Sequence, residues 1–410
     1  MTEFGRKLDV PSSPNSNVPF GLYVHLPFCV ERCMYCYYLS YAKQSTHQLI
    51  DQYLDALIKE LSIYHEKPYF ADHHLDFVYF GGGTPSVLSV EQIRKLVSTI
   101  KTIFPWTAVQ EITFECAPKT VTESKLKTLK EAGITRISLG IQQLNDEVLK
   151  KNGRVHLVSD IKRAYTQIQR IGFEIVNVDL IVGLLQQSDS SFIESLNEVI
   201  KMNSDGVTIY QLEIPFNTPL SRKYHEGTLD DSLATWDTKR ARLARGFAQL
   251  EESGYQLRSA YTAVRDSRYE KFVYQDAQYH GSDLLGIGTS AFSYIDGIHH
   301  QNLSSLELYL ERLDHGQLPL GRAYILTDEE RLIREFILQL KLGKVNGNYF
   351  KQKFDIDVFK HFSKVINHYI NQGFLVRGKH ELRLTRDGLL QVDSMLPAFY
   401  LPEHQAVRYS

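Results

Sequence analysis

The stretch Cys29-Val30-Glu31-Arg32-Cys33-Met34-Tyr35-Cys36 places three of the four cysteines of this chain at C-x3-C-x2-C spacing. An iron–sulfur cube takes one thiolate on each iron, so three thiolates on one short loop leave the fourth iron open. An open iron can bind a substrate or a cofactor. The spacing therefore indicates chemistry at an incompletely ligated cluster and not metal binding alone.

Two structural interpretations compete for the same loop. Zinc accepts mixed Cys/His tetrahedra, and His25 lies close by in the sequence. A disulfide framework is disfavoured because the cysteine cluster is odd in number and the long chain is otherwise poor in cysteine. Cys116 is predicted to be a small buried apolar residue on a strand. The loop by itself leaves zinc open.

The bulk composition excludes several classes of protein. The 410 residues suffice for one large and one small domain, and 43% hydrophobic with 23% charged residues is ordinary for a globular chain. A formal net charge of −2 gives no electrostatic footprint for nucleic acid. No apolar run approaches the ~20 residues of a membrane span. We expect a cytoplasmic protein without a membrane or nucleic-acid partner, and a flexible polar lead-in over residues 1–18 without a signal-peptide core.

From residue 22 onward, short apolar runs alternate with amphipathic helices, which predicts βα units and a parallel sheet. The predicted strands are 22–26, 75–80, 112–115, 135–141, 174–180 and 206–213. Six units in about 200 residues predict an α/β fold with an open, partial (β/α)6 barrel. A glycine-punctuated run at 284–291 is predicted to return a strand to its open side. The cysteine loop follows the first strand, where barrels of this type collect their chemistry.

The pattern changes after Pro319 and predicts a small C-terminal unit. Thr327 and Glu330 form a predicted capping box for a helix through residue 342, and a second helix is expected over 357–371. Two short β-prone pieces, 374–377 and 381–384, follow. Helices and then a hairpin predict a winged-helix-like α+β domain, which we expect to pack or to cover substrate because there is no basic excess. The predicted divisions are 1–18, 19–320 and 321–410.

Polar residues stand where the predicted strands end. Gly81-Gly82-Gly83 would let backbone N–H groups approach a polar ligand, or would simply mark a tight turn. Glu115 could serve a ligand or a salt bridge at the rim. Asp179 lies in an apolar run, where an unpaired carboxylate is costly, so it needs a partner. A cationic ligand and Arg154 are the candidates.

Several motifs occur in a fixed order along the chain. They are Tyr23-x-His25-x-Pro27-Phe28-Cys29, the cysteine loop, Tyr79-Phe80-Gly81-Gly82-Gly83-Thr84-Pro85, Glu115-x-x-Pro118, Gly140-Ile141-Gln142, Gly153-Arg154 and Asp179-Leu180-Ile181-x-Gly183-Leu184. Together they resemble the radical S-adenosylmethionine (SAM) enzymes of the oxygen-independent coproporphyrinogen III oxidase-like family. The resemblance covers roughly residues 20–300, and the C-terminal unit resembles the small end domain of that family. This combination disfavours zinc.

The resemblance implies a function for each motif. Cys29, Cys33 and Cys36 would ligate a [4Fe–4S] cluster, whose open iron would bind SAM. One electron from a reductant such as flavodoxin or ferredoxin would then cleave SAM to a 5′-deoxyadenosyl radical. The implied contacts to this SAM are Tyr23, Gly82 and Glu115. The implied contacts to a second SAM are Tyr35, Gly83, Thr84, Gln142, Arg154 and Asp179.

Departures from the family pattern bear on the reaction. Tyr38 stands where the oxidase proper has a fourth cysteine, residues 270–280 lack the His-Asn and Tyr-Trp of the haem chaperones, and Leu185 replaces a usual proline. These changes resemble divergent members that transfer a methyl or methylene group from the second SAM to an sp2 carbon, in C-methylation or cyclopropanation of a small molecule such as a natural product. The alternatives are a tetrapyrrole-processing enzyme, by decarboxylation or haem ring opening, and a haem-binding chaperone with little turnover.

Overall fold

A computed structural model describes residues 18–42, 46–71, 73–229, 233–269 and 271–405. Of the predicted lead-in 1–18, only Val18 lies within the described residues. Within the described part of the chain, no helix is both long and apolar enough to cross a membrane.

The six predicted strands form the centre of one sheet and are parallel to one another in chain order. They are β1 (Phe20–Leu26), β2 (Phe77–Gly82), β3 (Glu111–Cys116), β4 (Arg136–Gln142), β5 (Ile175–Val182) and β6 (Gly206–Gln211). The connecting helices are α1 (His47–His65), α2 (Pro68–Ala71), α3 (Val90–Ile103), α4 (Glu123–Glu131), α5 (Asp146–Lys151), α6 (Val158–Ile171) and α7 (Asp189–Met202). The predicted α/β class with a partial barrel is confirmed.

Six further strands extend the sheet at both edges. They are β7 (Gln256–Leu257), β8 (Thr262–Val264), β9 (Asp283–Ile287), β10 (Phe292–Ile295), β11 (Ile298–Asn302) and β12 (Leu320–Ile325). The sheet order is β12-β11-β10-β9-β1-β2-β3-β4-β5-β6-β8-β7. The strand predicted within 284–291 is β9, which pairs parallel with β1. Because β12 pairs with β11, the large sheet continues to Ile325; the division between 320 and 321 stays a prediction.

The two faces of the parallel sheet differ in character because successive side chains alternate. On the outer face of β4, Ile137, Leu139 and Ile141 are fully buried against the helices. On the inner face of the same strand lie Arg136, Ser138 and Gly140, which line a cavity. The main hydrophobic core therefore lies between sheet and helices, and the interior of the partial barrel is polar.

The remaining helices flank the barrel and build the C-terminal unit. They are α8 (Pro219–His225), α9 (Trp236–Glu252), α10 (Val273–Tyr279), α11 (Leu306–Asp314), α12 (Asp328–Lys341), α13 (Gly347–Phe354), α14 (Val358–His361), α15 (Ser363–Asn371) and α16 (Arg386–Met395). The C-terminal strands β13 (Lys344–Asn346), β14 (Leu375–Arg377) and β15 (Glu381–Leu384) form an antiparallel sheet in the order β13-β15-β14. This hairpin with helices matches the winged-helix-like prediction.

One predicted C-terminal helix is wrong and one capping box is confirmed. The helix expected over 357–371 is two helices, α14 and α15, because Phe362 leaves helical geometry (φ −93°, ψ 19°). Its ring packs between Phe336 and Phe399, with centroids 4.7 and 5.4 Å away. These rings belong to a second hydrophobic core, which is built mainly from the C-terminal unit. Burying the Phe362 ring in this core stabilises the break between the two helices. At α12, the Thr327–Glu330 capping box is present as predicted.

Candidate active site

The cysteine loop is fastened to neighbouring loops by its backbone. The Met34 amide donates to the Asn152 carbonyl oxygen (3.1 Å), and the Leu220 amide donates to the Met34 carbonyl oxygen (2.8 Å). The Arg32 guanidinium donates to the carbonyl oxygens of Cys36 (3.2 Å) and Asn217 (3.0 Å). Loops that follow β4 and β6 therefore position the three cysteines at the carboxyl end of β1.

The three glycines at the end of β2, of which Gly83 follows the strand, lie against the start of this loop. The Gly83 amide donates to the Leu26 carbonyl oxygen (2.8 Å), and a Cβ at Gly83 would lie 2.8 Å from that same oxygen. Gly82 has φ +107°, and a Cβ there would lie 2.5 Å from the His25 ring. The close backbone approach thus requires glycine at both positions.

Two of the cysteine thiols accept side-chain hydrogen bonds. Thr84 Oγ1 donates to Cys29 Sγ (3.4 Å), and Arg154 Nη1 donates to Cys33 Sγ (3.1 Å). Burial raises the pKa of Cys29, and it raises the pKa of Cys36 to about 11. A metal that binds these sulfurs must displace their protons, because thiolates are the ligands.

The donor set fits an iron–sulfur cube better than a single zinc ion. Zinc would gather four ligands around one point, yet no three His, Cys, Asp or Glu side chains among the described residues are grouped in this way. His25, the candidate fourth zinc ligand, directs Nδ1 to the Tyr23 hydroxyl (3.2 Å). Three half-buried thiols spread over one loop suit a cube, which distributes its thiolates over separate irons.

Glu115 ends β3 with its carboxylate turned toward the glycines. The Tyr79 hydroxyl donates to Oε1 (2.8 Å) and the Gly82 amide donates to Oε2 (3.2 Å). Burial raises the pKa of Glu115 to about 7. Within the described residues these partners are neutral, so the alternative of a rim salt bridge is wrong. A half-buried carboxylate that has no counter-ion among the described residues suits a cationic ligand.

Asp179 is held in a similar way on β5. The Ser138 hydroxyl donates to Oδ2 (2.9 Å) and Asn177 Nδ2 donates to Oδ1 (2.7 Å), while burial raises the pKa of Asp179 to about 6. The expectation that Arg154 could pair with Asp179 is wrong, because its guanidinium is held by Cys33 and by the Gly140 carbonyl oxygen (2.9 Å).

Backbone irregularity and unpartnered polar atoms mark the same region. Gln142 has φ +65°, and the pairing of β4 with β5 shifts register between Gly140 and Gln142. Among the described residues, the buried Tyr35 hydroxyl and the buried Arg154 Nε have no hydrogen-bond partner. Such atoms are expected where a ligand completes the hydrogen bonding.

One cavity of about 640 Å³ unites most of the predicted site. The predicted site residues that line it are Tyr35, Cys36, Gly83, Thr84, Glu115, Gln142, Arg154 and Asp179. The others each contact a lining residue: Cys29 contacts Thr84, Cys33 contacts Arg154, Gly82 contacts Glu115, and Tyr23 stacks on Tyr79 with centroids 5.9 Å apart. Every predicted site residue therefore lies at or beside one cavity.

The part of the cavity lined by Glu115, Arg154 and Asp179 is here called the rim, and the part lined by Arg136, Arg258 and Lys341 the distal end. The sequence analysis named no residue of the distal end. There three lining cations each pair with a carboxylate: Arg136 with Glu111 (2.9 Å), Arg258 with Asp276, and Lys341 with Asp393 (2.9 Å). Lys341 and Asp393 come from the C-terminal helices α12 and α16. The one signal in the sequence was a charged residue, Arg136, at the start of an otherwise uncharged strand. The other partners are remote in sequence and form no motif.

Apart from Tyr38, which the sequence analysis singled out, the aromatic side chains on the cavity wall were also missed. Tyr37, Tyr38, Tyr210 and Trp236 line the cavity and are 52%, 42%, 48% and 44% exposed, respectively. The rings of Tyr37 and Tyr38 stack on each other with centroids 4.4 Å apart. We call these four residues the aromatic wall.

The fold and this site define a radical SAM protein. The radical SAM superfamily model matches residues 23–199, and the HemN C-terminal domain model matches residues 326–390. The chain carries both of these domains, and its relatives include oxygen-independent coproporphyrinogen III oxidases and haem chaperones. A radical SAM domain implies a [4Fe–4S] cluster and SAM.

The relatives divide between oxidases and chaperones. The chain is 28% identical to the haem chaperone HemW of Bacillus subtilis, covering 92% of this chain and 98% of that one. It is 29% identical to the oxygen-independent coproporphyrinogen III oxidase of Escherichia coli, over 92% and 80% of the two chains. The solved structure of the Escherichia coli coproporphyrinogen III oxidase HemN, described as a radical SAM enzyme, matches with TM-score 0.81 over 93% of this chain and 90% of that one.

Proposed function

We propose that this protein cleaves SAM reductively and acts on a tetrapyrrole held in the cavity. The observation that carries the proposal is the cavity itself, which connects the cysteine loop with the aromatic wall and continues to the C-terminal helices. Relatives named as a coproporphyrinogen oxidase and a haem chaperone support a tetrapyrrole over other small molecules. They favour this alternative over the methyl transfer that the sequence departures suggest.

The aromatic wall suits a large, flat or macrocyclic ligand. Its residues keep about half of their surface exposed although they line the cavity. Aromatic rings bind other ring systems by offset stacking and edge contacts. Tyr210 also stacks on Tyr261 at 6.3 Å, which extends the wall toward the distal end. A tetrapyrrole would thus contact several rings at once.

The charged residues at the rim suit SAM. Glu115 and Asp179 accept hydrogen bonds only from neutral groups among the described residues, so each can bind the ammonium or sulfonium charge of a SAM molecule. Arg154 lines the cavity, and its Nε, which has no partner in the described segments, can bind a SAM carboxylate. When bound, the cluster would supply the electron that cleaves SAM. Two carboxylates on separate strands support two SAM molecules.

A second candidate function is methyl transfer from the second SAM to the substrate. Tyr38, which stands at the position of the oxidase's fourth cysteine, favours it because its ring joins the cavity wall. A bulky phenol there narrows the space beside Cys36 and changes how a substrate approaches the rim. The same cavity would then hold the methyl acceptor.

The test is an anaerobic turnover assay. The protein is reconstituted with iron and sulfide, given SAM and a strong reductant, and incubated with coproporphyrinogen III, with haem or without substrate. We expect 5′-deoxyadenosine to rise severalfold with a tetrapyrrole, together with a mass change in that tetrapyrrole. S-adenosylhomocysteine with a methylated product would instead establish methyl transfer. Haem binding without deoxyadenosine would identify a chaperone.

Asp179→Asn separates the two SAM sites in this assay. We expect the cluster to load normally, because Asp179 contacts Ser138 and Asn177 and not the cysteine loop. Binding of a second SAM equivalent should weaken by about tenfold, the scale of one lost charge-assisted hydrogen bond. Unchanged binding stoichiometry and affinity would contradict the role given to Asp179. Asp328→Asn, at the exposed start of α12, is the matched control.

A further inference from the structure

Arg154 connects the cysteine loop to the inner face of the barrel. Its Nη1 donates to Cys33 Sγ (3.1 Å) and its Nη2 donates to the Gly140 carbonyl oxygen at the end of β4 (2.9 Å). Its Nε is buried and has no hydrogen-bond partner within the described part of the chain. One guanidinium therefore contacts a cysteine of the predicted cluster while it keeps a donor available to the cavity.

The backbone around Arg154 fixes this position. Gly153 has φ +73° and lies against the cysteine loop, so that a Cβ there would be 3.3 Å from the Met34 nitrogen. The Asn152 carbonyl oxygen accepts from the Met34 amide, and the Arg154 amide donates to the Leu149 carbonyl oxygen (2.9 Å). The loop that carries Arg154 and the loop that carries Cys33 are thus bound directly to each other.

A cation that donates a hydrogen bond to a cysteine sulfur changes the energy of a cluster bound there. Reduction adds one negative charge, and hydrogen bonds to the sulfurs are among the factors that set the potential of iron–sulfur clusters. Arginine stays protonated and its hydrogen bonds to anions are stronger than neutral ones. The Arg154–Cys33 contact should therefore stabilise the reduced state more than the oxidised state.

We propose that Arg154 is a positioning residue that raises the reduction potential of the cluster through its hydrogen bond to Cys33. The neutral hydroxyl of Thr84, 3.4 Å from Cys29 Sγ, acts in the same direction and more weakly. Because Nε remains available, Arg154 can bind an anionic group of a ligand without leaving Cys33. This role concerns the cluster and is independent of which substrate the cavity takes.

The test measures the midpoint potential of the reconstituted cluster by EPR-monitored redox titration, without substrate. We compare the unchanged protein with Arg154→Gln, Arg154→Lys and the control Arg170→Gln; Arg170 is exposed on α6 and pairs with Glu123. Arg154→Gln should lower the potential, so that the ratio of reduced to oxidised cluster at a fixed potential falls by up to about tenfold. The potential of Arg154→Lys should lie between those of the unchanged protein and Arg154→Gln. The potential of the control Arg170→Gln should equal that of the unchanged protein.

A purely structural role gives a different result. Cluster content, measured as bound iron and sulfide, would fall in Arg154→Gln while the potential of the remaining cluster stayed unchanged, and this would overturn the proposal. If Arg154→Gln holds no cluster, Arg154→Lys and Thr84→Val decide. We expect both variants to lower the midpoint potential, and Thr84→Val to lower it by less. Unchanged potentials in both variants would also overturn the proposal. SAM cleavage is not needed for any of these readouts.

Discussion

The rim and the distal end of the cavity differ in how their charges are balanced. At the rim, Glu115 and Asp179 accept only from neutral donors among the described residues. At the distal end, Arg136 lies 2.9 Å from Glu111, and Lys341 lies 2.9 Å from Asp393. Unbalanced buried charges are costly, so they persist where a ligand supplies the opposite charge.

This difference assigns different roles to charges that line one cavity. Burial without a counter-ion raises the pKa of Glu115 to about 7 and that of Asp179 to about 6. The balanced pairs at the distal end instead join separate segments of chain: Arg136 also donates to the Lys271 carbonyl oxygen (2.8 Å) just before α10. We therefore expect rim substitutions to change ligand binding and distal substitutions to change stability.

The largest expected effect is at the rim, in Cys33→Ala. Removing one of three thiolates should abolish cluster assembly and with it all SAM cleavage. Bound iron, the visible absorption of the reconstituted protein and 5′-deoxyadenosine check this. Cys116→Ala is the control, because Cys116 is buried in the core on β3 and contacts none of the three cysteines in the described hydrogen bonds. An iron-loaded, active Cys33→Ala protein would refute the cluster assignment.

The next effect is at the distal end, in Arg136→Met. Glu111 would keep a buried charge without its partner, which costs about 3–5 kcal/mol of unfolding free energy. Denaturant unfolding measures the loss, and iron content per folded protein should stay unchanged. The double variant Arg136→Met with Glu111→Gln should recover part of the stability, because no lone charge remains. If Arg136→Met lost SAM affinity but kept its full unfolding free energy, the distal end would bind ligand, and the roles assigned to the two ends would be wrong.

A smaller effect at the rim is the pH dependence of SAM binding. Because the pKa of Glu115 is raised to about 7 and that of Asp179 to about 6, both are largely protonated at pH 5.5. The cationic ligand needs the ionised carboxylates, so affinity should rise with pH through 6 and 7 and level off near pH 8. Anaerobic calorimetric titration across this range gives the profile. Glu115→Gln should weaken SAM binding and flatten the pH profile of the affinity near pH 7. An unaltered pH profile would exclude Glu115 as the titrating group.

Much of the fold follows from local sequence, because each parallel strand carries its own apolar run. The six central strands, the cap of α12 and the return of β9 to β1 were predicted in this way. The division of 357–371 into α14 and α15 was not, since it depends on the packing of Phe362 against Phe336 and Phe399. Such contacts join residues that no local pattern relates.

The same limit applies to the candidate site: residues in local sequence motifs could be predicted, and contacts between remote residues could not. The predicted site residues lie in motifs that resemble those of a known family, and the fold brings these motifs to or beside one cavity; their contacts with a ligand stay predictions. The spacing did not reveal that Arg154 contacts Cys33 and not Asp179, because that choice depends on the loop around Asn152. The distal pairs unite β3 with β4 and α12 with α16, and only the folded chain makes them neighbours.

The smallest effect we predict is on the aromatic wall, at Tyr38, which belongs to neither set of charges. Its ring stacks on Tyr37 and is 42% exposed to the cavity. Tyr38→Ala should weaken tetrapyrrole binding by about 0.5–1.5 kcal/mol, roughly twofold to thirteenfold, by removing one stacking contact. Tyr38→Phe keeps the ring and should bind like the unchanged protein, whereas a loss in Tyr38→Phe as well would point to the hydroxyl. Fluorescence-quenching titration with haem and with coproporphyrin measures both variants. If Tyr38→Cys, which restores the oxidase's residue, binds as weakly as Tyr38→Ala, the ring itself is the contribution of this position to substrate binding.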